Sequence, residues 1–75
     1  MPLVEVTLVE GRTPEQLRTL ISRLTTAVVD SVGAPKENVR VVLREVPATH
    51  WAAGDVTIEE RRARQKPRER QEAQS

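Results

Sequence analysis

The chain has 75 residues and no cysteine, and its 12 Lys and Arg against 11 Asp and Glu leave a formal net charge of +1. The missing cysteines exclude disulfides and thiolate metal sites, and the even charge balance argues against a dedicated nucleic-acid-binding protein. The sequence shows neither a targeting segment nor an apolar run of membrane-spanning length, which predicts a cytoplasmic protein that does not bind a membrane. A chain this short buries too little surface to be stable alone, which predicts a homo-oligomer.

The first element predicted along the chain is a β-strand. Residues 2–9 (PLVEVTLV) are rich in β-branched side chains and alternate between two faces. After Gly11, a helix start is predicted, with Thr13 as the N-cap, Pro14 at the first helical position and Gln16 at the capping-box position.

An apolar stripe at three- and four-residue spacing follows this start and predicts a helix of about five turns. The stripe is formed by Leu17, Leu20, Ile21, Leu24, Ala27, Val28 and Val32. Gly33 suits the position after the last helical residue, and Pro35 cannot continue a helix. We therefore expect the helix to end at Gly33.

A second strand is predicted from Asn38 to Val46 (NVRVVLREV), where apolar and polar residues alternate again. Strand, helix and strand with short connections form a βαβ unit, whose strands should be parallel with a right-handed crossover. A single helix leaves the other face of such a sheet and both its edges open. The predicted fold class is α+β: a single βαβ unit with parallel strands and a C-terminal loop or hairpin, assembling into an oligomer.

The rest of the chain divides into a loop and a tail. Residues 47–55 predict a loop or short hairpin that carries Trp51, the only aromatic residue. An aromatic side chain in a loop is expected to seal a subunit interface or to line a pocket. Residues 59–75 are highly charged and almost lack apolar side chains, so burial cannot order them. We predict a domain of residues 1–58 and a charged tail of residues 59–75 that is partly helical or disordered.

Three residues are candidates for chemistry. Removal of Met1 would turn Pro2 into a secondary amine, and burial beside arginines would shift its pKa toward neutrality, where a general base works best. Arg12, just after the first strand, and Arg40, among valines in the second, could bind a carboxylate through bidentate hydrogen bonds. The ordinary alternative is an exposed chain start and two solvated arginines. Arg44, on the same face as Arg40, fits either interpretation.

These residues resemble the 4-oxalocrotonate tautomerase family of the amino-terminal-proline tautomerases. The resemblance runs from Met1 to Asp55 and rests on MPLVEVTLVEGRTPEQ, APKENVRVVLREV and the aromatic residue of HWAAGD. Proline at position 2, EGR at the end of the first strand and PxxxVR at the start of the second are far more specific together than singly. The tail lies outside the resemblance.

The resemblance implies a cofactor-independent isomerase that moves a proton on a carboxylate substrate such as 2-hydroxymuconate, in the degradation of aromatic compounds. Pro2 would be the general base, and Arg12 would hold the distal carboxylate. Arg40, from a neighbouring subunit, would bind the 2-hydroxy or 2-keto oxygen and the adjoining carboxylate. Trp51 would replace the usual phenylalanine as a hydrophobic wall of the site. Members of this family are typically hexamers, which agrees with the predicted oligomer.

Two alternatives stay open at this point. One is a non-catalytic oligomeric scaffold of the same fold, and the other is a keto-enol tautomerase or hydratase acting on another unsaturated or aryl 2-oxo acid. Related dehalogenases and hydratases carry a glutamate two residues after the aromatic, but Ala53 stands there, which disfavours hydrolytic dehalogenation. No glycine-rich phosphate loop is present and His50 is the only histidine, so no metal, nucleotide or flavin is expected.

Overall fold

The computed structural model describes residues 1–65, which form two compact units that meet in the chain between Glu45 and Val46. The predicted βαβ arrangement is confirmed. Its elements are β1 (Leu3–Val9), α1 (Pro14–Val32) and β2 (Arg40–Val46). Strands β1 and β2 pair in a two-stranded parallel sheet.

Alternating exposure shows which face of the sheet is covered. The half-buried side chains are Val4, Val6 and Leu8 in β1 and Val41 and Leu43 in β2. Because successive side chains of a strand point to opposite faces, α1 covers this face and the other lies open in the protomer. The open face, called the outer face below, carries Leu3, Glu5 and Thr7 of β1 and Arg40, Val42 and Arg44 of β2, all exposed, and the half-buried Val9 and Val46 at the two strand ends.

Helix α1 begins and ends at the predicted residues. The Gln16 N–H donates to Thr13 Oγ1 at 3.1 Å, and the Thr13 N–H donates to Gln16 Oε1 at 2.9 Å, so the capping box is complete. After the last turn, Gly33 has a φ of 72° and its N–H donates to the Val29 carbonyl at 3.0 Å. Glycine adopts this left-handed conformation without the strain that a side chain would add.

The predicted apolar stripe of α1 is wrong at two positions. Ala27 and Val32 are exposed, the latter by 69%, whereas Thr25 and Val29 are half-buried. Ala27 lies at the edge of the stripe and Val32 lies in the final turn. The Thr25 hydroxyl donates to the Ile21 carbonyl at 2.8 Å, so this polar group is satisfied within the helix.

Strand β2 begins two residues later than predicted. Lys36–Asn38 forms a 3₁₀ turn. In it the Asn38 N–H donates to the Pro35 carbonyl at 3.0 Å, and the Val39 N–H donates to the Lys36 carbonyl at 3.2 Å. These donors are therefore not available to the sheet. The Arg40 N–H is the first to join the sheet, and it donates to the Pro2 carbonyl at 2.9 Å.

The second unit contains a short antiparallel hairpin, which settles the prediction of a loop or hairpin. A 3₁₀ turn (Ala48–His50) precedes β3 (Ala52–Ala53) and β4 (Val56–Thr57). Gly54 and Asp55 connect the strands with φ values of 60° and 66°. A type I′ turn requires a positive φ at both central residues, and these two residues meet that requirement. The twist of this turn matches the twist of the strands that it joins.

Residues 58–65 are helical, and residues 66–75 of the predicted tail lie outside the described residues. A second capping box starts this helix, since the Thr57 N–H donates to Glu60 Oε1 at 2.8 Å and the Glu60 N–H donates to Thr57 Oγ1 at 3.1 Å. Hydrogen bonds from the Thr57 backbone and side chain lower the pKa of Glu60 below its ordinary value. No helix among residues 1–65 is long and apolar enough to cross a membrane.

Residues 1–65 form no closed core within one protomer. No side chain among residues 1–65 is fully buried. The large apolar side chains that are most exposed are Met1, Leu3, Val32, Val42 and Trp51. Apolar surface of this kind on a small domain is typical of an interaction surface rather than of a free monomer.

We predict that acid loosens the start of the helix formed by residues 58–65. The ordinary pKa of Glu60 is 4.5 and its folded pKa is lower, so its capping contribution is complete above pH 4.5 and is lost as the pH falls through the folded pKa. Carbon chemical shifts of the first helical turn should move toward coil values over this acidic range. Glu60→Gln should flatten the pH response, since glutamine caps without titrating, and the control Glu59→Gln should leave it unchanged. A wild-type helix insensitive to acid would contradict this prediction.

Candidate active site

Pro2 lies at the common starting edge of the two parallel strands. Its side chain is half-buried, and its carbonyl accepts the hydrogen bond from the Arg40 N–H at 2.9 Å. Met1 precedes it and is 84% exposed. While Met1 is attached, the Pro2 nitrogen is a tertiary amide without a proton or basicity, so removal of this exposed residue is needed before Pro2 can act as a base.

Arg12 follows the turn that ends β1. Gly11 in this turn has a φ of 135°, a backbone conformation that side-chain-bearing residues rarely adopt. The turned chain lets Arg12 Nη1 donate to the Val9 carbonyl at 2.9 Å, in an exposed position. The guanidinium is thereby held beside the last residue of β1 while most of its N–H groups stay free for a ligand.

Arg40 is anchored in the same way at the start of β2. Its Nη1 donates to the Glu37 carbonyl at 2.8 Å, again in an exposed position. The salt bridge found within residues 1–65 joins Arg44 to Glu5, so in this part of the chain no carboxylate neutralises Arg12 or Arg40. Two solvent-facing guanidiniums, each fixed by one backbone carbonyl, are suited to binding carboxylates.

One protomer does not bring the three predicted residues together. Pro2 and the backbone of Arg40 lie at the start of the sheet, whereas the Arg12 guanidinium is bonded to Val9 at the far end of β1. The seven residues of β1, at about 3.3 Å each, separate these ends by roughly 20 Å. A site that contains both Pro2 and Arg12 must therefore take Arg12 from another copy of the chain.

Trp51 belongs to the second unit. It follows the 3₁₀ turn and is 38% exposed, and its carbonyl accepts a hydrogen bond from the Ile58 N–H at 2.9 Å next to the hairpin. This bond fixes the backbone of Trp51 and leaves its indole ring partly open. Two residues after Trp51, Ala53 pairs with Val56 within the hairpin. Because this residue is an alanine, it offers no carboxylate to the site.

Two concavities among residues 1–65 lie away from these residues. The larger, of about 420 Å³, is a shallow depression lined by Thr13, Glu15, Gln16, Thr19 and Arg23. A smaller one, of about 160 Å³, is lined by Arg18, Ile21, Ser22, Thr25, Thr26 and Lys36. Neither contains any of the predicted site residues. The first lies on the polar side of α1, and the second reaches Ile21 of the apolar stripe and the half-buried Thr25. Within residues 1–65 no three His, Asp or Glu side chains gather in a way that could hold a metal ion.

Sequence reasoning missed the groups that hold the two guanidiniums. The acceptors are the main-chain carbonyls of Val9 and Glu37, each three residues before the arginine it binds. Every residue carries a carbonyl, so no residue type announces this role. The left-handed turn at Gly11 is the one feature of the sequence that hints at the anchoring of Arg12.

Comparison with known proteins places these features in context. The profile of the Tautomerase family, described as tautomerase enzyme, matches residues 2–61. The chain is 55% identical over 56 residues to a probable tautomerase of Ralstonia nicotianae, covering 75% of this chain and 80% of that protein. It is 40% identical over 60 residues to 2-hydroxymuconate tautomerase of Comamonas testosteroni, covering 80% of this chain and 95% of that protein.

Solved structures show the same similarity. TomN, a 4-oxalocrotonate tautomerase homologue in the tomaymycin biosynthetic pathway, superposes with a TM-score of 0.81 at 44% identity, covering 83% of this chain and 95% of TomN. A heterohexameric 4-oxalocrotonate tautomerase of Chloroflexus aurantiacus gives a TM-score of 0.77 at 37% identity, covering 80% of this chain and 97% of that one. Both fold and sequence are thus shared over most of the described residues.

Proposed function

This chain belongs to the tautomerase family and is therefore an isomerase, and we propose that Pro2 is its general base. The substrate is a 2-hydroxydienoate or 2-oxo-enoate dicarboxylate such as 2-hydroxymuconate. The observation that carries this proposal is the pair of anchored guanidiniums, Arg12 and Arg40, which no carboxylate neutralises within residues 1–65. The similarity to 2-hydroxymuconate tautomerase over 95% of its length supports the choice of substrate.

The proposed reaction is a proton transfer without gain or loss of atoms. After removal of Met1 in the cytoplasm, the Pro2 nitrogen takes the proton of the dienol hydroxyl. The electron pair of that O–H bond forms the carbonyl, one C=C double bond moves one position toward the distal carboxylate, and the π pair of the other C=C bond becomes available on carbon to take up a proton. The protonated proline then returns the proton to carbon, which regenerates the free amine.

The two arginines stabilise the charge that develops during this transfer. Arg12 holds the distal carboxylate and draws electron density toward it, while Arg40 binds the 2-oxygen and the adjoining carboxylate. Such contacts accelerate the reaction because they strengthen as negative charge builds in the transition state. Their anchoring to Val9 and Glu37 carbonyls supports this role, since a held guanidinium loses less freedom when it binds.

Trp51 forms an apolar wall of this site. An apolar surface disfavours the cationic form of a nearby amine and excludes water from the developing charge. The partly exposed ring of Trp51 and the hydrogen bond that fixes its backbone support this assignment. A phenylalanine would supply a similar surface, so Trp51→Phe should preserve most of the activity.

The working form of the protein is a homo-oligomer, which we take to be a hexamer built from dimers. The absence of any fully buried side chain among residues 1–65 supports assembly. The separation of Pro2 and Arg12 by the length of β1 supports a site shared between copies. A solved relative is a heterohexamer, which supports the size.

We predict that Pro2→Ala lowers kcat/KM for 2-hydroxymuconate by about 10²- to 10⁴-fold, because after removal of Met1 the variant presents the primary amine of alanine in place of the ring-held secondary amine that transfers the proton. Sedimentation velocity should show an unchanged assembly. Pro47→Ala, at a proline outside the site, is the control and should retain normal turnover. Intact mass should show that the wild-type protein lacks Met1, and its pH–rate profile should show control by one group near neutrality. Normal turnover by the Pro2→Ala protein, or retention of Met1 in an active protein, would refute the mechanism.

Mixing inactive variants tests whether the site is shared. Pro2→Ala and Arg12→Ala chains are each expected to be inactive alone. Refolding equal amounts of the two together should restore roughly a quarter of wild-type activity. In a random assembly, half of the sites contain an intact Pro2, and half of those receive an intact Arg12 from the neighbouring copy. The same recovery is expected for Pro2→Ala with Arg40→Ala when the Arg40 that binds substrate comes from a neighbouring copy, rather than from the chain whose Pro2 carbonyl accepts its backbone N–H. If both residues came from one chain, no mixed site would be intact and the mixture would stay inactive.

The fork geometry of Arg40 gives a further prediction. Arg40→Lys keeps the charge but loses the paired N–H donors, so it should lower kcat/KM by at least about tenfold, and Arg40→Ala should lower it further. The matched control is Arg18→Ala on the polar side of α1, with normal kinetics expected. Equal activity of the lysine variant and the wild type would show that charge alone suffices.

Parallel ultraviolet assays distinguish the proposed substrate from the alternatives. Turnover of a 2-hydroxydienoate dicarboxylate but not of an aryl enol-pyruvate is the expected result. The reverse preference would assign a keto-enol tautomerase of aryl 2-oxo acids. A protein of correct mass and assembly that is inert toward both would favour the scaffold alternative.

A further inference from the structure

Glu5 and Arg44 form an ion pair on the outer face of the sheet. Arg44 Nη1 lies 2.8 Å from Glu5 Oε2, which joins β1 to β2. The side chains are 46% and 58% exposed, respectively, in the protomer. An ion pair so exposed stabilises a folded chain by about 0–1 kcal/mol, because water screens the charges. The stability of the protomer therefore does not explain this pair.

The surroundings of the pair are apolar and uncovered. Leu3 and Val42 share the outer face with it and are 57% and 40% exposed. No element among residues 1–45 covers this face, since α1 packs on the opposite one. Apolar side chains in this position gain from contact with another molecule, and the same contact would remove water from Glu5 and Arg44.

The charges at the middle of the outer face suit a second copy of this chain. A two-fold axis places the same surface on both partners, so a surface of one sign would repel its own copy. Glu5 and Arg44 instead place an acid and a base side by side on this face, whose other charge, Arg40, lies at the start of β2. When two copies meet face to face, Glu5 of one copy can therefore approach Arg44 of the other.

We propose that Glu5 and Arg44 determine which chains this protein assembles with, by pairing across the interface between outer faces. This inference rests on the proposed assembly but not on the proposed chemistry. A partner chain that lacks one of the two charges leaves the other desolvated and unpaired, which is costly in a covered interface. The pair thus favours identical copies over related subunits with other residues at these positions. One solved relative is a heterohexamer, so different chains share an assembly in that protein.

Charge reversal tests the proposal, and the measured quantity is the mass of the assembled oligomer. Because this measurement does not depend on activity, failure of this proposal is distinguishable from failure of the proposed catalysis by Pro2. The variants are Glu5→Arg, Arg44→Glu and the double exchange, compared by sedimentation velocity and circular dichroism. Each single variant carries two like charges and should dissociate with a constant at least about tenfold larger than that of the wild type. Arg23→Glu, a matched reversal on the polar side of α1, should assemble normally.

The decisive sample is the two single variants refolded together in equal amounts. One supplies only positive and the other only negative side chains at the two positions, so the mixture should form mixed oligomers at wild-type concentrations. Single variants that assemble as tightly as the wild type would overturn the proposal. A mixture that stays dissociated or unfolded would also overturn it. If the double-exchange variant assembles normally while the mixture of single variants does not, the pair acts only within one protomer, which likewise overturns the proposal.

Discussion

Two strands and one helix can cover only one face of their own sheet, and this limit governs the rest of the molecule. Helix α1 shields Val4, Val6 and Leu8, yet even these remain only half-buried, and residues 1–65 contain no fully buried side chain. The free energy that a larger domain would obtain from its core must come from contacts between copies. Assembly, as proposed above, would therefore contribute to the stability of the fold as well as to the site.

The same limit shapes the candidate site. Because β1 is extended, Pro2 at its start and the Arg12 guanidinium at its end are separated by the whole strand. Neighbouring copies would supply both the missing cover and the missing cation, so loss of assembly would remove stability and activity together.

The features that could be predicted from the sequence are those that depend on neighbours in the chain. The capping box of Thr13 and Gln16 and the left-handed Gly33 follow from local hydrogen bonding and backbone sterics, and the structure has both. The alternation of residues predicts that β2 starts at Asn38, but it starts at Arg40 because the Asn38 N–H donates within a 3₁₀ turn. The alternation of apolar and polar residues does not reveal which carbonyl a backbone N–H will bind. For the site, the residues suggested candidates, but their grouping and roles came from resemblance to a family. Main-chain anchors and the cross-strand pair of Glu5 and Arg44 require coordinates.

The coordinates also distinguish arginines that the sequence left equivalent. Arg40 and Arg44 lie on the same face of β2, and either could have been the ligand-binding cation. Arg44 is already paired with a carboxylate, so a substrate carboxylate would have to displace Glu5 to reach it. Arg40 is fixed by a neutral carbonyl and keeps its charge available. A guanidinium whose charge is unpaired suits the binding of a carboxylate, and one that is already paired suits a structural role. This difference supports Arg40 in the proposed site and Arg44 in the proposed interface.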